Sequence, residues 1–564
     1  MRLLDSRRLT GPNLLWEKPG AVIDVAFGDA PARLVVGAWE REARRLLDEI
    51  GWKEQQLCVR CFEGGASLAI SAPVDALYSA AEVNEAAWDA ARDLVNGGNR
   101  HLLQRVARQL REEIRDEERP RLQRLLAAAA EHHVPVILDT DRVSLGLGEH
   151  SACWDLRDVP HPDDVAWNKL GAIPLALVTG TNGKTTSVRL MAAIGRAAGL
   201  TTGVSSTDWL AVGDNILEKD DYAGPEGARR ILRDSRCELA VLETARGGLL
   251  RRGLAVERAD AVLITNIASD HIGEFGVQNV EELADVKWIA TRALGADSTL
   301  VLNADDPYLV ARASSVDARI AWFSSDASNP RLREHARAGG TTCTVDKGRI
   351  VLTEGGKRRT VVALEQVPIC FGGAARHNVM NALGATALAR ALGLSVAHIR
   401  AGLKTMQNLD NPGRANLYQC GGASVLLDFA HNPAGVEAVI ELAAALPAKR
   451  RLLVIGQAGD RTDEDIRDLA RASEGIRFER VLIKRLDSYG RGRAAGEVAD
   501  MLQAAFREQG YTARQIGVSN REMDALRAAL RWARPGDLVV FLAHEDRDAV
   551  MSYLEKRQST NGRK

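Results

Sequence analysis

The sequence predicts an α/β protein in three parts: an α+β domain over residues 1–165, a central parallel-sheet unit over 166–409 and a C-terminal α/β unit over 410–564. Three observations carry this. From Gly171 to about Gly402 short apolar runs alternate with helical stretches, the pattern of parallel strands joined by crossover helices. A second alternation of the same kind follows from about residue 410. A chain of 564 residues is also too long for one hydrophobic core.

In the first domain, residues 21–27 and 67–71 read as strands, and 80–95 and the highly charged 100–133 as helical, with Pro120 breaking or kinking the latter. Residues 134–139 are again strand-like. Charges of both signs between Arg108 and Arg124 suit a solvated helix face better than a binding tail. Asp139, Asp141, His132 and His133 fit no standard metal-ligand spacing and read as surface residues. Cys58 and Cys61 have no matching second pair, which favours structural thiols over a metal site; seven scattered cysteines argue against a disulfide framework. The 74 basic and 75 acidic side chains leave no net field to favour nucleic acid or an anionic membrane. With no signal-type apolar core and no run long enough to span a bilayer, the expected compartment is the cytoplasm.

The central unit opens on Leu175-Ala-Leu-Val-Thr-Gly-Thr-Asn-Gly-Lys-Thr-Thr-Ser-Val-Arg-Leu190. An apolar strand, a tight loop from Gly180 to Gly183 and a helix from Lys184 form the layout of a phosphate cradle. Loop and helix N-terminus point N–H groups at an anion, Lys184 adds a positive charge, and the hydroxyl of Thr185 or Thr186 can hold Mg²⁺. The full motif asks for Gly where Val178 stands, so only its Gly-Lys-Thr half matches; the alternative is a strand-turn-helix with no ligand. Downstream, strands over 239–242, 261–264 and 299–302 end at Glu243, at Thr265 and Asn266, and at Asn303. Ligands of open α/β sheets gather beyond such strand ends, which makes Glu243 a candidate ligand of Mg²⁺ or its waters; singly, each polar residue could equally cap the next helix.

The C-terminal unit reads as strands over 424–427, 451–455, 480–483 and 538–542, with helices over 434–446, 494–509 and 521–533. Asn411-Pro-Gly413 within 408–414 reads as the hinge between the two α/β units, whose closure around one nucleotide is expected.

Several motifs in one order resemble the Mur ligase superfamily of ATP-dependent amide-bond ligases, and within it the Mur-ligase-like half of cyanophycin synthetases. They are Gly180-Thr-Asn-Gly-Lys-Thr-Thr186, Glu243-Thr-Ala-Arg-Gly-Gly-Leu-Leu-Arg251, Asp270-His-Ile-Gly-Glu274 with Ala284-Asp-Val-Lys287, Asn303-Ala-Asp-Asp-Pro307, His377-Asn-Val-Met-Asn-Ala382, Pro412-Gly-Arg414, Asp428-Phe-Ala-His-Asn-Pro-Ala434 and Gly459-Asp-Arg-Thr-Asp-Glu-Asp465. Gly11-Pro-Asn13 and Ser144-Leu-Gly-Leu-Gly148 extend the likeness into the first domain. The departure is that the stretch from 149 to the phosphate-loop strand is far too short for the family's two-lobed ATP-grasp module.

The resemblance implies a Mur ligase architecture: a cyanophycin-synthetase-like α+β domain, a P-loop ATPase domain and a Rossmann-like C-terminal domain. It further implies ATP and Mg²⁺ as cofactors and an acyl-phosphate mechanism. Carried over by position, Gly180, Thr181, Asn182, Gly183, Lys184, Thr185 and Thr186 bind the phosphates, and Thr185, Glu243 and His271 face the metals. An imidazole is unusual on Mg²⁺, so His271 rests on the resemblance alone, with a helix cap as its alternative. Lys287 matches a lysine that many members carry as a carbamate, or it forms a salt bridge on a helix surface. Asn378 matches the adenine-recognising Asn, Arg414 a phosphate-contacting Arg, and Asp428 a ribose-binding carboxylate; His431 lies in the same signature and Asn303 in the nucleotide crevice. The catalytic set is then Lys184, His271, Lys287 and Arg414. The expected reaction joins an amino acid to a carboxylate of an aspartate-containing peptide or small acid. The rival readings are a ligase for cell-wall or folate-type precursors, and a nucleotide-binding regulatory or scaffold partner of a separate ATP-grasp ligase. A homo-oligomer is expected from the resemblance.

Overall fold

The computed structural model describes residues 1–97, 103–270, 272–273 and 275–561. The chain begins with a four-stranded antiparallel sheet in the order Arg2–Leu9, Gly20–Ala26, Gly65–Ser71, Leu57–Phe62. Helices Ala32–Ile50 and Leu77–Val95 bury one face, with Trp39 and Trp88 at the centre. The buried indole N–H of Trp39 donates to Asn84 Oδ1 (3.0 Å), and the Asn84 amide donates to the carbonyls of Ala21 and Leu68, so one polar side chain links both helices and the sheet inside the core. Cys58 and Cys61 lie three apart on a strand and therefore face opposite sides, so their thiols do not converge.

The helical stretch expected over 100–133 is two helices, Leu103–Glu117 and Pro120–Glu131, with Pro120 in the first turn of the second, where its missing N–H costs nothing; residues 100–102 lie outside the described residues. A three-stranded sheet follows, Val136–Leu138, Arg142–Leu145 and Ala152–Asp155. The surface reading of Asp139 needs correction. Its carboxylate pairs with Arg229 (3.3 Å) and Arg233 from the central unit, so it fastens the two units together. His132 instead stacks on Trp167 at 4.4 Å.

The central sheet has eleven strands. Seven run parallel, in the order Thr202–Ser205, Leu239–Glu243, Leu175–Thr179, Ala259–Ile264, Leu294–Asn303, Arg319–Ser324, Thr341–Asp346. The apolar run of the central strand Leu175–Thr179 reflects burial on both faces: Ala176 and Val178 belong to one core, Leu175 and Leu177 to the other. The expectation of a parallel sheet missed its edges. Strands Leu210–Val212 and Asn215–Glu218 at one side, and Arg349–Glu354 and Lys357–Ala363 at the other, are antiparallel hairpin extensions. The C-terminal sheet has the order Asn416–Cys420, Ala423–Asp428, Leu538–Leu542, Arg451–Ile455, Arg480–Lys484, Ile516–Ser519, parallel except for its first strand. Among the described residues no helix is long and apolar enough to cross a membrane.

The Gly11-Pro-Asn13 segment has a docking role. Thr10 N donates to Arg252 O (2.8 Å) and Leu254 N to Pro12 O (2.7 Å), stitching the first domain to the central unit. Gly253, at φ +83°, permits the approach, since a side chain there would stand 2.5 Å from Pro12 O and 2.7 Å from Gly11 O. Gly253→Ala should therefore lower stability by about 2 kcal/mol or more, through left-handed strain and the lost seam; a denaturation midpoint equal to the parent's would rule out this role for the seam.

Candidate functional site: a phosphate cradle facing a domain cleft

Strand Leu175–Thr179 lies between Leu239–Glu243 and Ala259–Ile264, so the carboxyl ends of three strands meet at one place. The loop after Thr179 is pinned there from every side. Thr181 N donates to Asn266 O (2.8 Å), Asn182 N to Asn266 Oδ1 (3.0 Å), and Thr265 Oγ1 to Asn182 O (2.6 Å). Helix Lys184–Ala197 leaves the loop through Gly183 at φ +86°, where a methyl group would collide with Asn381. The pinning spends the Thr181 and Asn182 N–H groups on Asn266 and fixes the start of helix Lys184–Ala197, whose N-terminus is the end that attracts an anion.

Glu243 ends its strand almost fully buried, 1% exposed. A buried carboxylate needs compensation, and two threonines supply part of it. Thr185 Oγ1 donates to Glu243 Oε2 (2.9 Å), and Thr207 Oγ1 to Glu243 Oε1 (2.7 Å). Lys184 Nζ donates to Gly180 O (3.1 Å) and Thr181 O (2.9 Å), and Lys287 Nζ to the same Gly180 carbonyl (2.8 Å). Burial pushes the Lys287 amine well below the usual lysine range, and the charges of Lys184 and Arg246 push it the same way against Asp270. Asp221, held by Ala223 N (3.1 Å), lies on the same cleft wall; burial raises its carboxyl despite that N–H, with Glu243 adding to the rise.

The cleft, of about 2020 Å³, is walled by Lys184, Thr185, Glu243 and Lys287 of the central unit and by Arg414, His431, Asp460 and Arg461 beyond the hinge. Arg414 stacks its guanidinium over the Phe429 ring (5.0 Å), and its buried Nε has no hydrogen-bond partner among the described residues. Asp270 accepts from Arg461 Nη2 (3.3 Å) and lies 3.9 Å from His431 Nε2, so central and C-terminal loops touch across the opening. The amides of Asn182 and Asn432 exchange hydrogen bonds at 3.2 and 3.1 Å, a second tie.

Thr186 also lines the cleft, with its hydroxyl turned to the hinge, accepting from Asn411 Nδ2 (3.1 Å). Not every expected residue joins this wall. The Asn303 amide donates to Thr265 O (3.2 Å), so its side chain braces the strand end behind the loop instead of lining the crevice. Asn378 donates to Ile369 O (2.9 Å) and lies buried beneath the surface. Both Asp428 oxygens accept backbone N–H groups, of Ala415 and Ala430 at 2.7 Å each. His271 and Glu274 lie outside the described residues. Sequence reasoning missed Thr207, because a lone Thr in a loop looks like an ordinary turn residue; Asn266, expected at its strand end, holds the backbone of the phosphate loop. The Asn182–Asn432 pair had no sequence signal.

Residues 178–389 match the family model of the Mur ligase middle domain, and residues 413–544 that of the Mur ligase, glutamate ligase domain. The cyanophycin synthetase of Crocosphaera subtropica is 38% identical over 387 residues, 68% of this chain and 44% of that protein. The UDP-N-acetylmuramoyl-L-alanyl-D-glutamate–2,6-diaminopimelate ligase of Geobacter metallireducens is 29% identical, over 67% of this chain and 75% of that one. E. coli FolC in complex with ADP shares the fold with a TM-score of 0.52 at 20% identity, covering 68% of this chain and 90% of that one. The chain spans less than half the length of the cyanophycin synthetases that it matches.

Thr207→Val removes one of the two hydroxyls on Glu243 while keeping the shape. Loss of one hydrogen bond to a buried charge costs about 1.5–3 kcal/mol, so Mg²⁺-dependent nucleotide affinity should fall roughly tenfold or more. Calorimetric titration with and without Mg²⁺ reads this, and an unchanged difference between the two titrations counts against Glu243 as a metal-facing group.

Proposed function

Because the chain belongs to the Mur ligase family, whose middle and glutamate ligase domains it carries, we propose that it is an ATP- and Mg²⁺-dependent ligase joining an amino acid to a carboxylate. The acceptor is an aspartate-containing peptide or small acid, and the setting is the cytoplasm. The observation that carries the reading is Glu243, buried at the foot of a phosphate cradle and gripped by Thr185 and Thr207. Carboxylate and hydroxyl oxygens are the donors a hard cation such as Mg²⁺ prefers, so the residues present fit the ion. Bound there, Mg²⁺ offsets the charge of the phosphate oxygens.

The chain's own groups meet the remaining demands. An acceptor carboxylate oxygen bonds the γ-phosphorus as the bond to the ADP oxygen breaks; the amine nitrogen then bonds the acyl carbon as phosphate leaves and one proton is released. The first step brings two anions together, and Lys184 and Arg414 offset their repulsion. The orphaned Arg414 Nε is a donor that an incoming oxyanion would satisfy. Burial beside Lys184 makes the Lys287 amine easier to deprotonate and so able to add CO₂ with release of a proton, and the anionic carbamate would meet the positive charges of Lys184 and Arg246. The amine approaches from the C-terminal loops, where Asp460, Arg461, Tyr489 and Arg491 reach the cleft. With no room for an ATP-grasp module between Gly148 and Leu175, the chain performs one kind of addition and works beside a separate ATP-grasp ligase.

Purified protein with ATP and Mg²⁺, challenged with pools of amino acids plus aspartyl peptides or small dicarboxylates, should release phosphate only when both an amine and an acceptor are present, and mass spectrometry should find the amide. Lys184→Ala should cut that release by about 10² or more. Nucleotide binding without turnover in any pool would instead favour the scaffold role. Carbamylation predicts that Lys287 binds ¹³C-bicarbonate carbon, seen as a carbamate resonance that disappears in Lys287→Arg.

A further inference from the structure

A charged cluster between the phosphate-loop helix and the last helix of the chain is not used by the chemistry above. Asp208 sits in the turn after strand Thr202–Ser205, closed by Ser206 N donating to Trp209 O (3.1 Å). One Asp208 oxygen is paired with Arg189 of helix Lys184–Ala197, and the other accepts from Arg547 Nη1 (2.6 Å), at the start of helix Arg547–Asn561 in the C-terminal unit. Arg189 also donates to Asn411 Oδ1 (2.7 Å), whose amide reaches Thr186, so the hinge is tied to the same node. Arg547 crosses the hinge directly over Gly413, where a side chain would stand 2.7 Å from its Cδ, and continues over the Phe429 ring at 5.6 Å.

The cluster is costly to bury, and its charges depend on one another. Burial lowers the Arg189 guanidinium to about 10, with Asp208 opposing the shift. Burial by itself would raise the Asp208 carboxyl, yet Arg189, Arg414 and Arg547 outweigh it and hold the group below its ordinary range. Removing one member of such a set leaves the others buried and uncompensated. The residue beside Asp208 is Thr207, whose hydroxyl grips Glu243. One short turn therefore holds the C-terminal unit with one side chain and the candidate metal-facing carboxylate with the next.

We propose that Asp208 is a positioning residue that couples the seating of the C-terminal unit, through Arg547, to the Thr207–Glu243 clasp. The inference rests on the ligase reading, in which the C-terminal unit delivers the amine to the place where Glu243 faces the metal. Release of Arg547 lets the Ser206–Trp209 turn relax, and the clasp loosens with it, although Arg547 touches neither Glu243 nor the phosphate loop.

The test uses the full chain. Arg547→Met keeps an apolar body over Phe429 and removes the charge, and Asp208→Asn removes the shared acceptor charge. Without nucleotide, small-angle scattering should give a larger radius of gyration for both variants than for the parent. The affinity gained by a non-hydrolysable ATP analogue on adding Mg²⁺ should shrink at least about fivefold in both, and Arg547→Lys should restore part of it. An Arg547→Met variant that opens yet keeps the full Mg²⁺ gain overturns the coupling, as do two variants that scatter like the parent. Should Asp208→Asn fail to fold, Arg547→Met decides alone. A parent protein with no Mg²⁺-dependent nucleotide binding would instead overturn the ligase reading itself, which the scattering comparison does not touch.

Discussion

The buried carboxylate of Glu243 is the constraint to which the rest of the cleft answers. A negative charge at the end of a central strand is tolerated only if donors surround it, and here they come from two directions: Thr185 from the phosphate-loop helix and Thr207 from the neighbouring strand end. Parallel strand order makes this possible, since Thr202–Ser205 and Leu175–Thr179 flank Leu239–Glu243 and deliver their loops to the same edge. On the proposed ligase reading the same charge on Glu243 would repel a triphosphate unless a cation stood between them.

Positive charge is distributed on the same logic. Lys184 and Lys287 both donate to the Gly180 carbonyl, and burial, with the charge of Lys184, holds the Lys287 amine well below the usual lysine range. Across the hinge, Arg414, Arg547 and Arg189 crowd one aspartate, and each guanidinium is either paired or stacked on an aromatic face. Guanidinium suits these positions because its planar fork can serve two acceptors while its face rests on a ring, which an ammonium does less well.

Much of the fold was legible because its signals are local. Apolar runs marked the buried strands of both α/β sheets, and Pro120 marked a true helix boundary. The antiparallel hairpins at the edges of the central sheet were not read, because their strands are short or half polar and their pairing is decided by neighbours rather than by period. In the site, Lys184, Thr185, Glu243, Lys287 and Arg414, drawn from four separate motifs, line one cleft. Asn303 carried an equally suggestive position at a strand end and braces a loop instead, since an amide at that place serves structure and ligand equally well.

The sequence by itself determined the strand, loop and helix of the cradle and the residue types offered to phosphate and metal, because those depend on spacing along a few residues. Only the tertiary structure decided which groups serve them. Thr207 reaches Glu243 across 36 residues, Asn182 reaches Asn432 across 250, and Asp208 reaches Arg547 across 339. At such separations chain pattern carries no information, and the choice of partner follows from strand order and from the need to give each buried polar or charged group a hydrogen-bond or ionic partner.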